Sequence, residues 1–216
     1  MRTLYIIGTG GFAKEVAQLA HEINLAFAHW DALAYLSETP AEVGKPMPFG
    51  SVVGTDDILK DLSTPADVAV GIGSPRLRAK LGSSLMPLPS LRFPNLIHPA
   101  NPINADHVLL GVGNIVTRGA VFTCDIKVGD LNVFNLNSTV GHDTTIGSFN
   151  VINPGTNVSG GVSIGDRCLF GTGSQVLEGI SIANGSTIGA GAVVVKDVDR
   201  ENLTLVGIPA KPLNAT

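Results

Sequence analysis

Apolar residues recur every six positions over the C-terminal part of the chain. Stepping by six from Leu110 gives Leu110, Val116, Phe122, Val128, Phe134, Val140, Ile146, Ile152, Val158, Ile164, Phe170, Val176, Ile182, Ile188 and Val194. All are large and apolar. With 44% hydrophobic residues in the chain, chance gives ~5 in a million for one chosen register. The next residue is usually small, as at Gly111, Gly129, Gly141, Gly147, Gly165, Gly171 and Gly189. The fifth position of the hexad is mostly small, as at Ser138, Thr144, Thr156, Cys168, Ser174, Ser186 and Ala192.

A helix cannot use a period of six, because its apolar residues would spiral around the surface. A half-buried strand alternates every two residues. A period of six fits a three-faced prism in which each hexad makes one flat strand and one corner. Three hexads make one coil, so the pattern predicts five uninterrupted coils of a left-handed parallel β-helix. The apolar residue points inward, and its small neighbour is expected to permit the corner.

The first part of the chain reads differently. Thr3–Ile7 is a buried strand, followed by the turn Gly8–Ala13 and a helix with Val16, Leu19, Ala20 and Ile23 on one face. A second strand is predicted over Leu33–Leu36, a short helix over Asp56–Leu62, a third strand over Val68–Ile72 and a helix from about Arg76. Strands alternating with helices predict a small Rossmann-like parallel sheet, an α/β domain over residues 1–97, with the solenoid over 98–216. Gly8-x-Gly10-x-x-Ala13 follows a strand and opens a helix. Backbone amides at such a helix start suit phosphate. A tight turn and a phosphate site of a nucleotide-linked ligand are both compatible with so short a motif.

Composition narrows the function. The 216 residues carry a net charge of −4, so no basic excess favours nucleic acid. Charged residues are 15% and aromatics 5%, with 26 glycines, which is not the profile of a helix bundle. No apolar run approaches a membrane span, and the N-terminal residues read as a strand rather than a signal peptide. A cytoplasmic location is expected. Two cysteines, Cys124 and Cys168, supply neither a metal motif nor a disulfide framework.

Of five histidines (His21, His29, His98, His107 and His142), only His142 lies inside the regular coils. It holds the third hexad position, which faces outward near a corner. An exposed imidazole beside Asp143 has the chemistry of a general base, and a merely solvated histidine is the competing reading. Cys124 stands three hexads before His142 and is expected one coil below it on the same edge. Cys168 falls at an inward position and reads as core.

Gly8-Thr-Gly-Gly-Phe-Ala-Lys-Glu15, Phe93-Pro-Asn-Leu-Ile-His-Pro99, Gly141-His-Asp143, Ile188-Gly-Ala-Gly-Ala-Val-Val-Val-Lys-Asp-Val198 and Val206-Gly-Ile-Pro-Ala-Lys211 occur in this order. Together they resemble the sialic acid O-acetyltransferase-like family of bacterial sugar acyltransferases, which includes N-acetyltransferases of nucleotide-linked amino sugars. The resemblance implies a homotrimer with acetyl-CoA as co-substrate in a groove between adjacent prisms, and no metal. It implies a nucleotide-linked sugar at the N-terminal domain, with Gly8, Gly10, Gly11, Ser37 and Glu38 as contacts. His142 becomes the base and Asp143 its carboxylate partner. The Gly160 amide becomes the oxyanion donor, Thr172 and Ala190 backbone contacts of the CoA arm, and Asn135 a substrate contact. The implied reaction is acetylation of the amine of a nucleotide-linked 4-amino sugar in bacterial surface-glycan biosynthesis.

Two positions depart from the family pattern. Val151 stands where many members carry a second histidine, and Ser37-Glu38 stands for an acidic pair. Three other readings stay open on sequence alone: O-acetylation or another hexapeptide acyltransferase, a zinc site of the γ-carbonic-anhydrase type, and a non-catalytic trimeric binding protein. The zinc reading needs more histidines than the coils supply.

Overall fold

The computed structural model describes residues 2–213. Its first part is a six-stranded sheet built from β1 (Thr3–Ile7), β2 (Ala32–Ser37), β3 (Pro46–Met47), β4 (Gly50–Thr55), β5 (Ala66–Val70) and β6 (Leu91–Arg92). The strand order is β3-β4-β2-β1-β5-β6, parallel except for the β3–β4 pair. Helices α1 (Gly11–Phe27) and α2 (Pro75–Leu85) follow β1 and β5. All four apolar positions expected on the first helix face are buried in α1. Two differences from the sequence reading stand out. The β3–β4 pair lies in a Gly- and Pro-rich stretch with no apolar alternation to betray it. The strand expected to reach Ile72 ends at Val70, because Gly71-Ile72-Gly73 turns out of the sheet.

From Leu96 onward the chain winds into the solenoid, a left-handed parallel β-helix as the period predicts. Residues pair with partners three hexads further on, as Val140 with Val158 and Val158 with Val176. Three faces result. The docked face begins with Leu96–Ile97 and Ile115–Val116 and includes Val133–Phe134 and Val151–Ile152. The second runs from Val121–Phe122 through Thr139–Val140 to Val193–Val194, and the third from Val108–Leu110 through Thr145–Ile146 to Ser181–Ile182. The repeat residues from Val116 to Val194 are all buried; only Leu110, at the open end, is partly exposed.

The corner geometry corrects one expectation. Every fourth hexad position from Gly113 to Gly191 has positive φ, among them Asp143 at 57° and non-glycine Leu131, Phe149 and Arg167. The left-handed residue that turns the corner is therefore the fourth, not the glycine at the second. The second-position glycines answer to stacking. A Cβ on Gly129 or Gly147 would lie 2.9 Å from the carbonyl oxygen of the glycine one coil further on.

One corner column carries a ladder of buried asparagines. Asn114 Oδ1 accepts from the Asn132 amide at 2.9 Å, Asn132 Oδ1 from Asn150 at 2.8 Å, and Asn150 Oδ1 from Cys168 at 2.6 Å. The two parts share a core. Leu96, Ile115, Val133 and Val151 on the outside of the docked face pack in one cluster with Ala13, Val16, Ala17, Ala20 and Ile23 of α1. His98, nearly buried, donates from Nε2 to Glu22 of α1 at 2.8 Å while its Nδ1 accepts the Ala100 amide. No helix among the described residues is long and apolar enough to cross a membrane.

Candidate functional site

His142, Asp143 and Gly160 meet at the corner between the second and third faces. The register that pairs Val140 with Val158 sets Gly160 directly one coil beyond His142, and the Gly161 amide donates to the His142 carbonyl at 2.7 Å. The His142 ring lies over the Gly160 α-carbon. A Cβ built on Gly160 would stand 2.6 Å from both Nε2 and Cε1 of the imidazole. Gly160 has no positive φ, so the ring, not the backbone, excludes a side chain there.

Asp143 Oδ2 stands 2.8 Å from Nδ1 of His142. An ionised carboxylate only accepts, so Nδ1 carries the proton and Nε2 presents its lone pair. Both side chains are more than half exposed, at 56% and 67%, so a substrate can reach them. The Asp143 amide donates to the carbonyl of Cys124, which places that exposed cysteine on the coil before His142.

The amide of Gly160 has no acceptor among the described residues. Gly141 keeps it open, since a Cβ there would lie 2.5 Å from the Gly160 nitrogen. Thr172 and Ala190 hold the same third hexad position, and their amides are open as well. They sit at the corner between the docked and second faces, across the second face from His142. Within one chain they do not join the His142 cluster. Asn135, buried at that same corner, accepts the Leu136 amide through its own side chain.

The third corner column is closed. There Asp130, Ser148, Asp166 and Asn184 each accept the amide of the equivalent residue one coil earlier, at 2.8, 3.0, 2.7 and 2.7 Å. Two of the three edges thus present open amides, and one does not. Val151 lies on the docked face under α1, 2% exposed and away from the His142 edge.

A second concavity opens at the end of the α/β sheet, with a volume of about 810 Å³. It lies outside the carboxyl ends of β1 and β5, where the sheet order reverses direction, the position where open α/β sheets bind ligands. Gly8, Gly10, Gly11, Ser37 and Glu38 all line it. The floor is bare backbone, since a Cβ on Gly71 would lie 2.9 Å from Ala13 Cα and from the Ile7 carbonyl. At the start of α1, Gly10 supplies no side-chain cap and the first turn holds no acidic residue. The helix N-terminus is open to an anion. By contrast Ser74 caps α2.

The Ser37 hydroxyl is buried and donates to the carbonyls of Thr39 and Gly54, so Glu38 alone of that pair offers a carboxylate. Sequence reasoning missed Thr9, Glu42, Asp56, Asp57, Lys60, Lys80 and Gly71–Gly73, which also line the cleft. Lys60 pairs with Asp57 at 2.7 Å. Hydrogen bonds from Lys45 and then Thr9 hold the Glu42 carboxyl below its usual range. One signal was available for the Gly71–Gly73 turn: Gly-Ser-Pro after a buried strand marks a second strand-to-helix turn.

The PglD N-terminal domain family matches residues 3–85, and the hexapeptide repeat of succinyl-transferase matches residues 161–196. The acetyltransferase domain of PglB from Neisseria gonorrhoeae, in complex with acetyl coenzyme A, is 32% identical to this chain. Its TM-score is 0.89, covering 98% of this chain and 99% of that one. The chain belongs to the same family of hexapeptide-repeat sugar acetyltransferases as this domain.

Other solved structures are similar over the full length of this chain. A variant of perosamine N-acetyltransferase from Caulobacter crescentus, with one histidine changed to asparagine and in complex with CoA and GDP-perosamine, is 30% identical. Its TM-score is 0.89, over 100% of this chain and 98% of that one. WeeI from Acinetobacter baumannii is 25% identical with a TM-score of 0.84, over 99% and 100% of the two chains. No curated protein sequence matches this chain.

Proposed function

We propose that this chain transfers the acetyl group of acetyl-CoA to the amine of a nucleotide-linked 4-amino sugar, with His142 as general base. The observation that carries the reading is the Nε2 lone pair of His142 set against a glycine whose amide is open. A base and an oxyanion donor, adjacent on an exposed edge, are what acyl transfer from a thioester requires. The CoA and GDP-perosamine bound by the Caulobacter relative support the two substrate classes.

The acceptor amine attacks the thioester carbonyl carbon while Nε2 takes its proton. Asp143 stabilises the resulting imidazolium through Nδ1–H. The carbonyl oxygen becomes an oxyanion that the Gly160 amide receives. Collapse breaks the carbon–sulfur bond, and the imidazolium returns the proton to the leaving thiolate. The products are the N-acetyl sugar and CoA. Base catalysis of this kind contributes roughly 10²–10⁴-fold, and one oxyanion donor about 3 kcal/mol.

Thr172 and Ala190 fit the same scheme when the assembly is a homotrimer. The open-amide edge of one prism then faces the His142 edge of its neighbour, and CoA lies between them. The cleft beside α1 receives the nucleotide, its phosphates at the uncapped helix start. Asn135 and Glu38 belong to the acceptor's surroundings in this reading.

The test is thiol release from acetyl-CoA across GDP-, UDP- and dTDP-linked 4-amino sugars. The proposal expects release with at least one amine and none with its 4-hydroxyl counterpart. No release with any of them, or equal release with the hydroxyl sugar, contradicts it.

A further inference from the structure

Arg78 is fully buried and has no carboxylate partner among the described residues. It lies on α2, whose other positions Leu77, Lys80 and Leu81 line the cleft. Its Nε donates to the Leu131 carbonyl at a solenoid corner at 2.8 Å, and one Nη donates to the carbonyls of Val70 at 2.7 Å and Ile72 at 3.0 Å. The other Nη has no partner among the described residues. The buried carboxylate on β5, Asp67, is already taken by Arg2, Arg92 and Trp30. Burial pulls the guanidinium down to about 9, so at neutral pH it remains a cation that no carboxylate among the described residues pairs with. An unpaired buried charge is costly, and a protein keeps one at a price in stability.

Its place beneath the cleft gives that charge a use. The Ile72–Gly73 peptide is planar, so its carbonyl and its N–H point opposite ways. With the Ile72 carbonyl held on Arg78, the Gly73 N–H is turned off the guanidinium. That N–H has no acceptor among the described residues, and Gly73 is exposed and lines the cleft. We propose that Arg78 is a positioning residue of the cleft, fixing the Ile72–Gly73 peptide so that the Gly73 amide receives an anionic group of the ligand while the buried charge favours that anion. The inference rests on the reading of the cleft as a nucleotide site. It adds a second backbone donor to the cleft that the α1 terminus also lines, matching a diphosphate, which has two phosphoryl groups to hold.

Two variants separate charge from hydrogen bonding. Arg78→Gln keeps donors for the carbonyls and loses the charge, whereas Arg78→Lys keeps both. Each is titrated calorimetrically with GDP, UDP and dTDP, and with guanosine, uridine and thymidine, which lack the phosphates. CoA binding and Tm report the fold. For whichever nucleotide wild type binds, Arg78→Gln is expected to weaken the diphosphate about tenfold, leave the nucleoside within about twofold, and be rescued by Arg78→Lys. Gly73→Pro removes the N–H at an exposed site where a Cβ meets no atom within 4 Å. It is expected to show the same split and decides the matter should the Gln variant fail to fold. Equal weakening of diphosphate and nucleoside, or equal loss in the Lys and Gln variants, overturns the role of Arg78 and leaves the cleft reading standing. Binding of none of GDP, UDP and dTDP by wild type overturns the cleft reading itself, and this inference with it.

Discussion

The imidazole of His142 lies across the α-carbon of Gly160, one coil further along the solenoid, with Nε2 2.6 Å from where a Gly160 Cβ would stand. Two residues three hexads apart in sequence thus form one unit. Gly160→Ala displaces the ring without straining the backbone. Turnover is expected to fall at least about 100-fold, with Tm lowered by only a few degrees. Wild-type kcat in a folded Gly160→Ala protein would mean that the ring position is irrelevant.

Asp143 sits at φ 57°, a conformation that Asn adopts readily. Asp143→Asn therefore keeps the corner and removes the charge that orients His142. The expected loss in kcat is about tenfold or more, smaller than for loss of His142, and the pH–rate profile should shift with it. An unchanged rate and profile would assign Asp143 to solvent.

Gly10 has extended backbone, with φ −78° and ψ −172°, and no atom within 4 Å of a built Cβ. Valine fits sterically, yet it covers the approach to the α1 amides. Gly10→Val should raise KM for the nucleotide-linked acceptor and leave KM for acetyl-CoA unchanged. The reverse pattern would assign the cleft to CoA.

The two thiols differ in environment. Burial pushes the Cys168 thiol up to about 11, so at pH 8 about one molecule in a thousand carries the thiolate there, and the side chain is inaccessible. Cys124 is exposed. A disulfide reagent at pH 8 should titrate one thiol in the native protein, lost in Cys124→Ser, and a second only on unfolding. The Cys124→Ser protein should keep its turnover, since the scheme uses no thiol nucleophile; abolished turnover would place Cys124 in the reaction.

The solenoid was legible because an inward residue every six positions is a demand that no helix or flat sheet makes. What each small residue does was not. Gly141 reads like any turn glycine until the coil above it is seen, and then it proves to keep the Gly160 amide open. The asparagine ladder recurs once per coil, at Asn114, Asn132 and Asn150, a period hidden when the chain is read by sixes. His142 stood out because it alone among the five histidines lies inside the regular coils, with the carboxylate of Asp143 beside it. The cleft was half legible. Gly8–Gly11 announced a strand-to-helix turn, but the partner loop Gly71–Gly73 joins it only through the pairing of β1 with β5, a contact between distant segments that local patterns do not record. Val151 shows the limit of motif reading, because its environment is set by α1 from the other end of the chain.

The most direct test of the account is acetyl-CoA turnover by His142→Ala, measured as thiol release with the best nucleotide-linked amino sugar. The side chain is exposed, so the variant should fold, bind CoA and bind the acceptor as wild type does. Its kcat should fall at least about 100-fold across the pH range where the wild type is active. A folded His142→Ala protein that turns over at near-wild-type rate would contradict the central claim.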